Sequence, residues 1–266
     1  MERAEMVREY LRVLGLDAHE CDFALLNELV ARHVATFAFS SVGSLLGEDL
    51  PLDFESLYQR IVVDRRGGYC FQHNGLMYGV LEELGFSPTL YLARVIYNQD
   101  VHPGLTHRIS MVEHAGQKYV LDVGFGPLGP RIAVPMPATE AKDGEKIFRI
   151  AQRRPGEYHV EVFKDEVFFS LYRFELARYG QSDCELGHFY SHRHPEATFV
   201  NHLVVSLLLE RETRSLRDLE YSVITQSGTC TRAVRDSGQL RQLLVGEFGC
   251  QVTEDESRCL FDMLAT

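Results

Sequence analysis

The segment Arg65-Arg66-Gly67-Gly68-Tyr69-Cys70-Phe71-Gln72-His73-Asn74-Gly75 (RRGGYCFQHNG) reads as the junction between a loop and a helix, with a cysteine at the point of change. Beyond it Leu76, Met77, Val80, Leu81 and Leu84 recur at helical spacing as far as Gly85, so the helix starts near Cys70. A cysteine at a helix N-terminus faces free N–H groups and the positive end of the macrodipole, both of which favour thiolate. Gly67 and Gly68 let the backbone bend sharply and approach a ligand closely. The alternative is a buried structural cysteine on an ordinary junction. Partner residues have to decide between the two.

Working outward, the first 85 residues read as helices. Met6, Val7, Tyr10, Leu11 and Leu14 share a face, and Gly15 suits a left-handed cap. Leu25, Leu26, Leu29, Val30 and His33 share another. Asp53 caps a shorter helix running to Val63, with Phe54, Leu57 and Ile61 inward. From Thr89 the period falls towards two. Strands are expected at Thr89–Ile96, Arg108–Glu113, Lys118–Val123, Lys146–Ala151, Tyr158–Val162 and Glu166–Phe174, which suggests an antiparallel sheet or small barrel. The remainder mixes strand-like runs (Phe199–Leu208, Tyr221–Thr225) with helical ones (Leu240–Phe248, Glu254–Leu264). The expected class is therefore α+β. Its three parts are a helical bundle over 1–85 carrying the cysteine, a β-barrel over 86–190, and an α/β unit over 191–266, with boundaries near Gly85 and between Gly180 and Pro195.

Composition narrows the function classes. An apolar fraction of 45% supports a sizeable core, and no run of apolar residues is long enough to span a membrane. The N-terminal MERAEMVREY is too charged for a signal peptide, so cytoplasmic residence is expected. The six cysteines (Cys21, Cys70, Cys184, Cys230, Cys250, Cys259) lack paired spacing, as reduced thiols do. A net charge of −11 argues against a nucleic-acid binder but not against a small anionic ligand.

A cysteine nucleophile needs a base, and the base needs an orienting group. His107 opens the strand RISMVE, and Asp122 lies near the end of KYVLDV. If Ala115-Gly116 is a hairpin turn, Glu113 faces Lys118, a favourable cross-strand charge pair, and His107 faces Gly124. Asp122 then lies two residues away on the same face, a diagonal of roughly 7–8 Å between backbones that side chains can close. The other histidines read blandly. His188, His192 and His194 in HFYSHRH read as a solvated loop, since no set of ligands is arranged for a metal. His73, one turn after Cys70, flanks the site without an orienting acid; His102 and His114 read as loop and turn residues. The run VGFGPLGP (Val123–Pro130) could present backbone N–H groups to a phosphate or flat ring, or be a tight turn.

These residues resemble the arylamine N-acetyltransferase family. Its Arg-Gly-Gly-aromatic-Cys-Phe segment with a following Asn is matched by Arg66 to Phe71 and Asn74, its Thr-His by Thr106 and His107, and its Asp-Val-Gly-Phe-Gly by Asp122 to Gly126. Weaker similarity continues through Leu84–Phe86, Arg94–Val95 and Leu243–Gly249. The resemblance implies a helical domain, a β-barrel and an α/β lid. It implies a triad of Cys70 as nucleophile, His107 as base and Asp122 as orienter. It also implies acetyl-CoA as a co-substrate rather than a bound cofactor, and a small aromatic amine or hydrazine as acceptor. Tyr69, Phe71, Val95, Thr106, Phe125 and Gly126 are then expected around the substrate, supported by Arg66, Gln72 and Asn74. Two departures stand out. Ala38, Phe39, Ser40 and Ser41 occupy the family's Pro-Phe-Glu-Asn segment, and Gln72 replaces its usual Glu. Both changes remove carboxylates expected to pair with an arginine, Arg66 in this reading. A cysteine hydrolase of peptidase or transglutaminase type, an amide synthase of the same fold and a silent binding module are the rivals.

Overall fold

The computed structural model describes residues 1–17, 22–137 and 139–265; Cys21, counted above among the unpaired cysteines, lies outside the described residues. The helical periods of the first region all translate into buried faces. Helix α1 (Arg3–Leu14) turns Met6, Val7, Tyr10, Leu11 and Leu14 inward and closes on Gly15 at φ 68°. Helix α2 (Phe23–Thr36) is capped by Asp22, whose carboxylate accepts from the Leu25 N–H at 2.8 Å. A two-residue strand β1 (Phe39–Ser40) and the short α3 (Val42–Leu45) follow. Helix α4 (Phe54–Tyr58), capped by Asp53, runs on into a π-helical turn over Gln59–Val63.

Helix α5 (Cys70–Glu83) is the axis of this bundle, and nearly every residue of its first three turns is buried. A helix enclosed on all sides must find partners for any polar residue it carries. His73 and Asn74 do so fully and Gln72 through its amide oxygen, in three directions, which fixes the rotation of the helix and hence the aim of Cys70.

The change of period at Thr89 marks a meander of eight antiparallel strands: β2 (Thr89–Val95), β3 (His107–His114), β4 (Gln117–Leu121), β5 (Val134–Met136), β6 (Ala141–Asp143), β7 (Lys146–Arg154), β8 (Glu157–Lys164) and β9 (Val167–Glu175). Their order is β5-β4-β3-β2-β9-β8-β7-β6, and β5 packs back against β7, so the sheet curls into a nearly closed barrel. Strands β5 and β6, three residues each, are too short to show an alternating pattern. The expected hairpin register holds, with Glu113 opposite Lys118 and Ser110 opposite Leu121.

The last third departs most from expectation. Residues 181–193 form helix α6 (Gln181–Arg193), not a solvated loop, and it runs across the boundary expected at 190/191. Phe199–Leu208 is not one strand. Thr198–Asn201 is a helical turn, α7, because the Asn201 amide donates to the carbonyls of Pro195 and Ala197. Strands β10 (Val204–Leu208), β11 (Glu212–Arg217), β12 (Glu220–Thr225) and β13 (Gly228–Ala233) then form an antiparallel sheet that borrows β1 at one edge, with Phe39 opposite Ser206. Helix α8 (Ser237–Gln242), its π-helical continuation over Leu243–Glu247, and α9 (Glu254–Leu264) cover this sheet. Among the described residues, no helix is long and apolar enough to cross a membrane.

Candidate active site

Three elements converge on Cys70. It begins α5, His107 begins β3, and Asp122 follows β4 on the strand paired with β3. The approach is so close that a Cβ built on Gly124 would lie 2.7 Å from the Cys70 Cα. Glycine at 124 is therefore a packing requirement of the site. Gly67, with φ 66°, is required on the other side, since a Cβ there would meet the Ala38 carbonyl oxygen at 2.5 Å.

His107 Nε2 and the Asp122 carboxylate are 2.7 Å apart, and the pair is almost wholly buried. Burial opposes a charge on the imidazole, but the Asp122 carboxylate outweighs it through charge and hydrogen bond. A hydrogen bond with the Cys70 sulfur adds to this, and the ring is raised to about 10. Because Nε2 is engaged by Asp122, Nδ1 is the nitrogen left for sulfur. Burial likewise disfavours the Asp122 carboxylate, yet His107, the Asn74 amide and the Gly124 N–H together hold its pKa below the usual value. Asn74 is the hub. Its amide nitrogen donates to Asp122 Oδ1 at 2.9 Å and to the Arg108 carbonyl at 2.7 Å, while its oxygen accepts from the Val123 N–H at 2.9 Å. The ring of His107 is held between Phe125, edge-on at 5.3 Å, and Tyr172 at 4.7 Å. The Cys70 thiol also lies 3.4 Å from the Thr106 carbonyl. Nothing comparable surrounds Cys184, whose thiol burial pushes up to about 11.

This group opens into a cavity of about 570 Å³. Cys70, Val95, Thr106, His107 and Phe125 line it, as do Gly124 and Pro127 of the glycine-rich run. Tyr69 and Phe71 do not. Both are fully buried behind the wall, where the Tyr69 hydroxyl meets His188 Nδ1 at 2.6 Å and Phe71 packs edge-on against the same ring. Gly126 faces a separate small recess. Sequence reasoning missed Phe39, Tyr97, Tyr190, Phe199 and Arg217, which supply much of the remaining wall. A signal existed for Tyr97: it and Asn98 both take positive φ, and a strand ending in Tyr-Asn invites such a turn. The HFYSHRH histidines are accounted for by the fold. His188 accepts from Tyr69 and donates to the Leu50 carbonyl at 2.7 Å, and burial lowers it to about 4. Among the described residues, no three or more His, Cys, Asp or Glu side chains are grouped to hold a metal.

A family model described as N-acetyltransferase matches residues 22–257. The arylamine N-acetyltransferase of Escherichia coli K12 is 35% identical over 207 residues, covering 74% of this chain and 70% of that protein. The chain belongs to the arylamine N-acetyltransferase family. It is an acyltransferase. A Salmonella typhimurium protein named arylamine N-acetyltransferase / N-hydroxyarylamine O-acetyltransferase is 30% identical over 260 residues, 94% of this chain and 89% of that one. The Mycobacterium marinum arylamine N-acetyltransferase in complex with CoA superposes with a TM-score of 0.91 at 25% identity, covering 97% of this chain and 99% of that one.

The two departures from this family's pattern have structural answers that differ from expectation. Arg66 has not lost its carboxylates. Glu48 pairs with one of its nitrogens and Glu256 of α9 with both, at 2.8 and 2.9 Å, while the Gln251 carbonyl takes a further bond. These acidic partners come from the loop after α3 and from α9. Gln72 does not serve Arg66; its Oε1 caps the free Tyr69 N–H at 3.2 Å, leaving its own amide nitrogen buried without a hydrogen-bond partner. Ser40, where an N-acetyltransferase of this family usually carries Glu, is buried against the Cys250 thiol at 3.6 Å.

Proposed function

We propose that this chain moves the acetyl group of acetyl-CoA onto the nitrogen of a small aromatic amine or hydrazine, in a ping-pong cycle through acetyl-Cys70. The observation that carries the reading is the buried Cys70–His107–Asp122 chain at the base of an aromatic-walled cavity. With His107 placed to take its proton, the Cys70 sulfur is the nucleophile. The sulfur attacks the thioester carbonyl, the C–S bond to CoA breaks, and the departing thiolate takes the proton from His107. Thioester replaces thioester, so this half-reaction is nearly isoenergetic. The acceptor nitrogen then attacks acetyl-Cys70, neutral His107 takes the proton it sheds, and the Cys70 thiolate leaves. The developing oxyanion is stabilised by free backbone N–H groups at the start of α5, that of Cys70 first. Asp122 keeps the imidazole oriented throughout without touching the reacting atoms.

The CoA complex of the Mycobacterium marinum relative supports acetyl-CoA as donor. The name of the Salmonella relative supports transfer to the oxygen of N-hydroxyarylamines as a related use of the site. The five described cysteines are all free thiols, which fits a reducing, cytoplasmic setting. Intact-mass analysis after mixing with acetyl-CoA alone tests the reading. One acetyl group on Cys70, released only by an added arylamine or hydrazine, is expected. Release by water at a comparable rate would make the enzyme a hydrolase, and an unmodified Cys70 would end the proposal.

A further inference from the structure

Helix α6 has one face built into the fold and one left to solvent. Cys184, His188 and Ser191 point inward, and Gly187 lies flush against the Leu105 carbonyl, where a Cβ would clash. A solvated helix face is expected to be polar. This one carries Leu186 and Phe189, at 74% and 65% exposure the two most exposed large apolar side chains among the described residues, with Tyr190 exposed beside them. Neither Leu186 nor Phe189 lines the catalytic cavity, so the cavity does not account for their exposure. Apolar residues grouped at i, i+3 and i+4 on a helix surface mark a docking face.

The charges at the two ends of this stripe select its occupant. Asp183 and Glu185 stand towards the N-terminus, and Asp183 is held by the Gly180 N–H at 2.8 Å. Arg193 closes the stripe at the other end, its guanidinium fixed by Asp49 at 2.9 Å and by the Gly47 and Glu48 carbonyls. A stripe that is acidic at one end, apolar in the middle and basic at the other is complementary to itself when turned end for end. An antiparallel copy sets Leu186 against Phe189 of the partner subunit, and Asp183 against the partner's Arg193. The same charges disfavour a lipid surface. Interfacial helices carry Lys and Arg along their apolar face, whereas two acidic residues stand here and the chain has a net charge of −11.

We propose that the exposed face of α6 is a self-association surface, through which two copies of this chain pair antiparallel about a two-fold axis. The inference stands apart from the acetyltransferase reading. A helix of 13 residues is about 20 Å long, and one pair of that length buries less than the roughly 1,200–2,000 Å² of a standard interface, so the dimer is a micromolar one. Tyr190 also borders the catalytic cavity, which places the contact beside its mouth.

Sedimentation equilibrium of the full chain from about 1 to about 300 μM tests the proposal. The weight-average mass should rise from one chain towards two. Leu186→Glu and Phe189→Glu should each raise the dissociation constant at least about tenfold, as loss of a central apolar anchor does. Val167→Glu, at another exposed apolar position, should leave it unchanged. In an equimolar mixture of Leu186→Cys and Phe189→Cys chains under mild oxidation, peptide mass mapping should show the mixed disulfide ahead of either symmetric one. A chain that stays monomeric throughout overturns the proposal, as does a dimer that both glutamate variants leave intact. Preference for a symmetric disulfide overturns the antiparallel pairing. Binding of the monomer to phosphatidylglycerol vesicles, lost in Leu186→Glu, would give the face to lipid instead.

Discussion

His73 and His107 are both buried, both hydrogen-bonded through their rings and both packed around the first turns of α5, yet they prefer opposite charge states. His73 Nε2 donates to the Ala38 carbonyl at 3.0 Å, so its Nδ1 accepts from His33 Nε2 at 2.7 Å, and His33 Nδ1 in turn accepts from the Tyr10 hydroxyl at 2.9 Å. Each proton in this relay has one place to be. Both rings are neutral, with burial lowering His73 to about 4 and His33 well below its ordinary value. Burial acts on His107 in the same sense, but there a carboxylate faces the ring and reverses the outcome, to about 10. Burial alone, then, does not keep an imidazole charged. A buried carboxylate held by its own donors does, and Asn74 and the Gly124 N–H are those donors.

The sharpest way to break this contrast is to make His107 resemble His73. Asp122→Asn keeps volume and removes the charge. In other triads the equivalent change costs about four orders of magnitude, and a loss of that size in acetyl transfer is expected here with the fold retained. Alkylation of Cys70 by iodoacetamide at pH 6 should be much slower in this variant than in the wild type. Near-wild-type transfer would mean that the orienting acid is another residue.

Gly124→Ala disturbs the contrast through geometry instead of charge. The added carbon would press on the Cys70 Cα at 2.7 Å and on the Asn74 amide nitrogen at 2.9 Å. A shift of about 1 Å at the nucleophile costs about a hundredfold, and overpacking costs about 1–3 kcal/mol. Transfer rate and thermal unfolding of the variant measure the two separately.

The two imidazoles should also shape opposite limbs of the stability profile. The His107 pKa is raised on folding, so its contribution is fully present below its unfolded value of 6.5 and is lost as pH rises towards about 10. The His73 pKa is lowered, so the unfolded chain takes up a proton the fold refuses, and stability falls as pH drops from 6.5 through about 4. Asp122, lowered on folding, adds to the acid limb from its ordinary value downward. Thermal melts across this range should show both limbs, and Asp122→Asn should flatten the alkaline one. A wild-type profile flat between pH 7 and 10 would contradict the charged state of His107.

The smallest effect is expected of Gln72→Glu. The carboxylate would cap the Tyr69 N–H as the amide oxygen does and would remove the buried, unpartnered amide nitrogen. Its charge suits a helix N-terminus, so a gain of about 0.3–1 kcal/mol is expected, with Cys70 acetylation retained. A large loss of transfer would show that the amide at 72 has a part in the chemistry.

The convergence of Cys70, His107 and Asp122 was legible because it rests on local rules. Helical periodicity set the start of α5 at Cys70, and the Glu113–Lys118 pairing set the register that brings His107 to Asp122. The walls were less legible because they come from distant elements. Phe39 arrives through pairing of β1 with β10, Phe199 through α7, and Arg217 through a strand whose sequence, ETRSLR, has no apolar alternation. The edge strand β13, GTCTRA, is exposed throughout and carries no core signal at all. Helix α6 was misread because its apolar residues do not mark its buried face: Leu186 and Phe189 are exposed while His188 is buried. Tyr69 and Phe71 illustrate the opposite case, in which aromatic residues beside Cys70 pack behind the cavity wall instead of lining it.

The contrast itself is most directly tested by nitrogen NMR of the histidine rings from pH 6 to 10.5, in wild type and in Asp122→Asn. The account predicts that His107 carries both ring protons at pH 8 and loses one near pH 10, while His73 carries a single proton throughout, on Nε2. In Asp122→Asn the His107 ring should be neutral at pH 8. A His107 already neutral at pH 8 in the wild type, or unchanged by loss of the carboxylate, would contradict it.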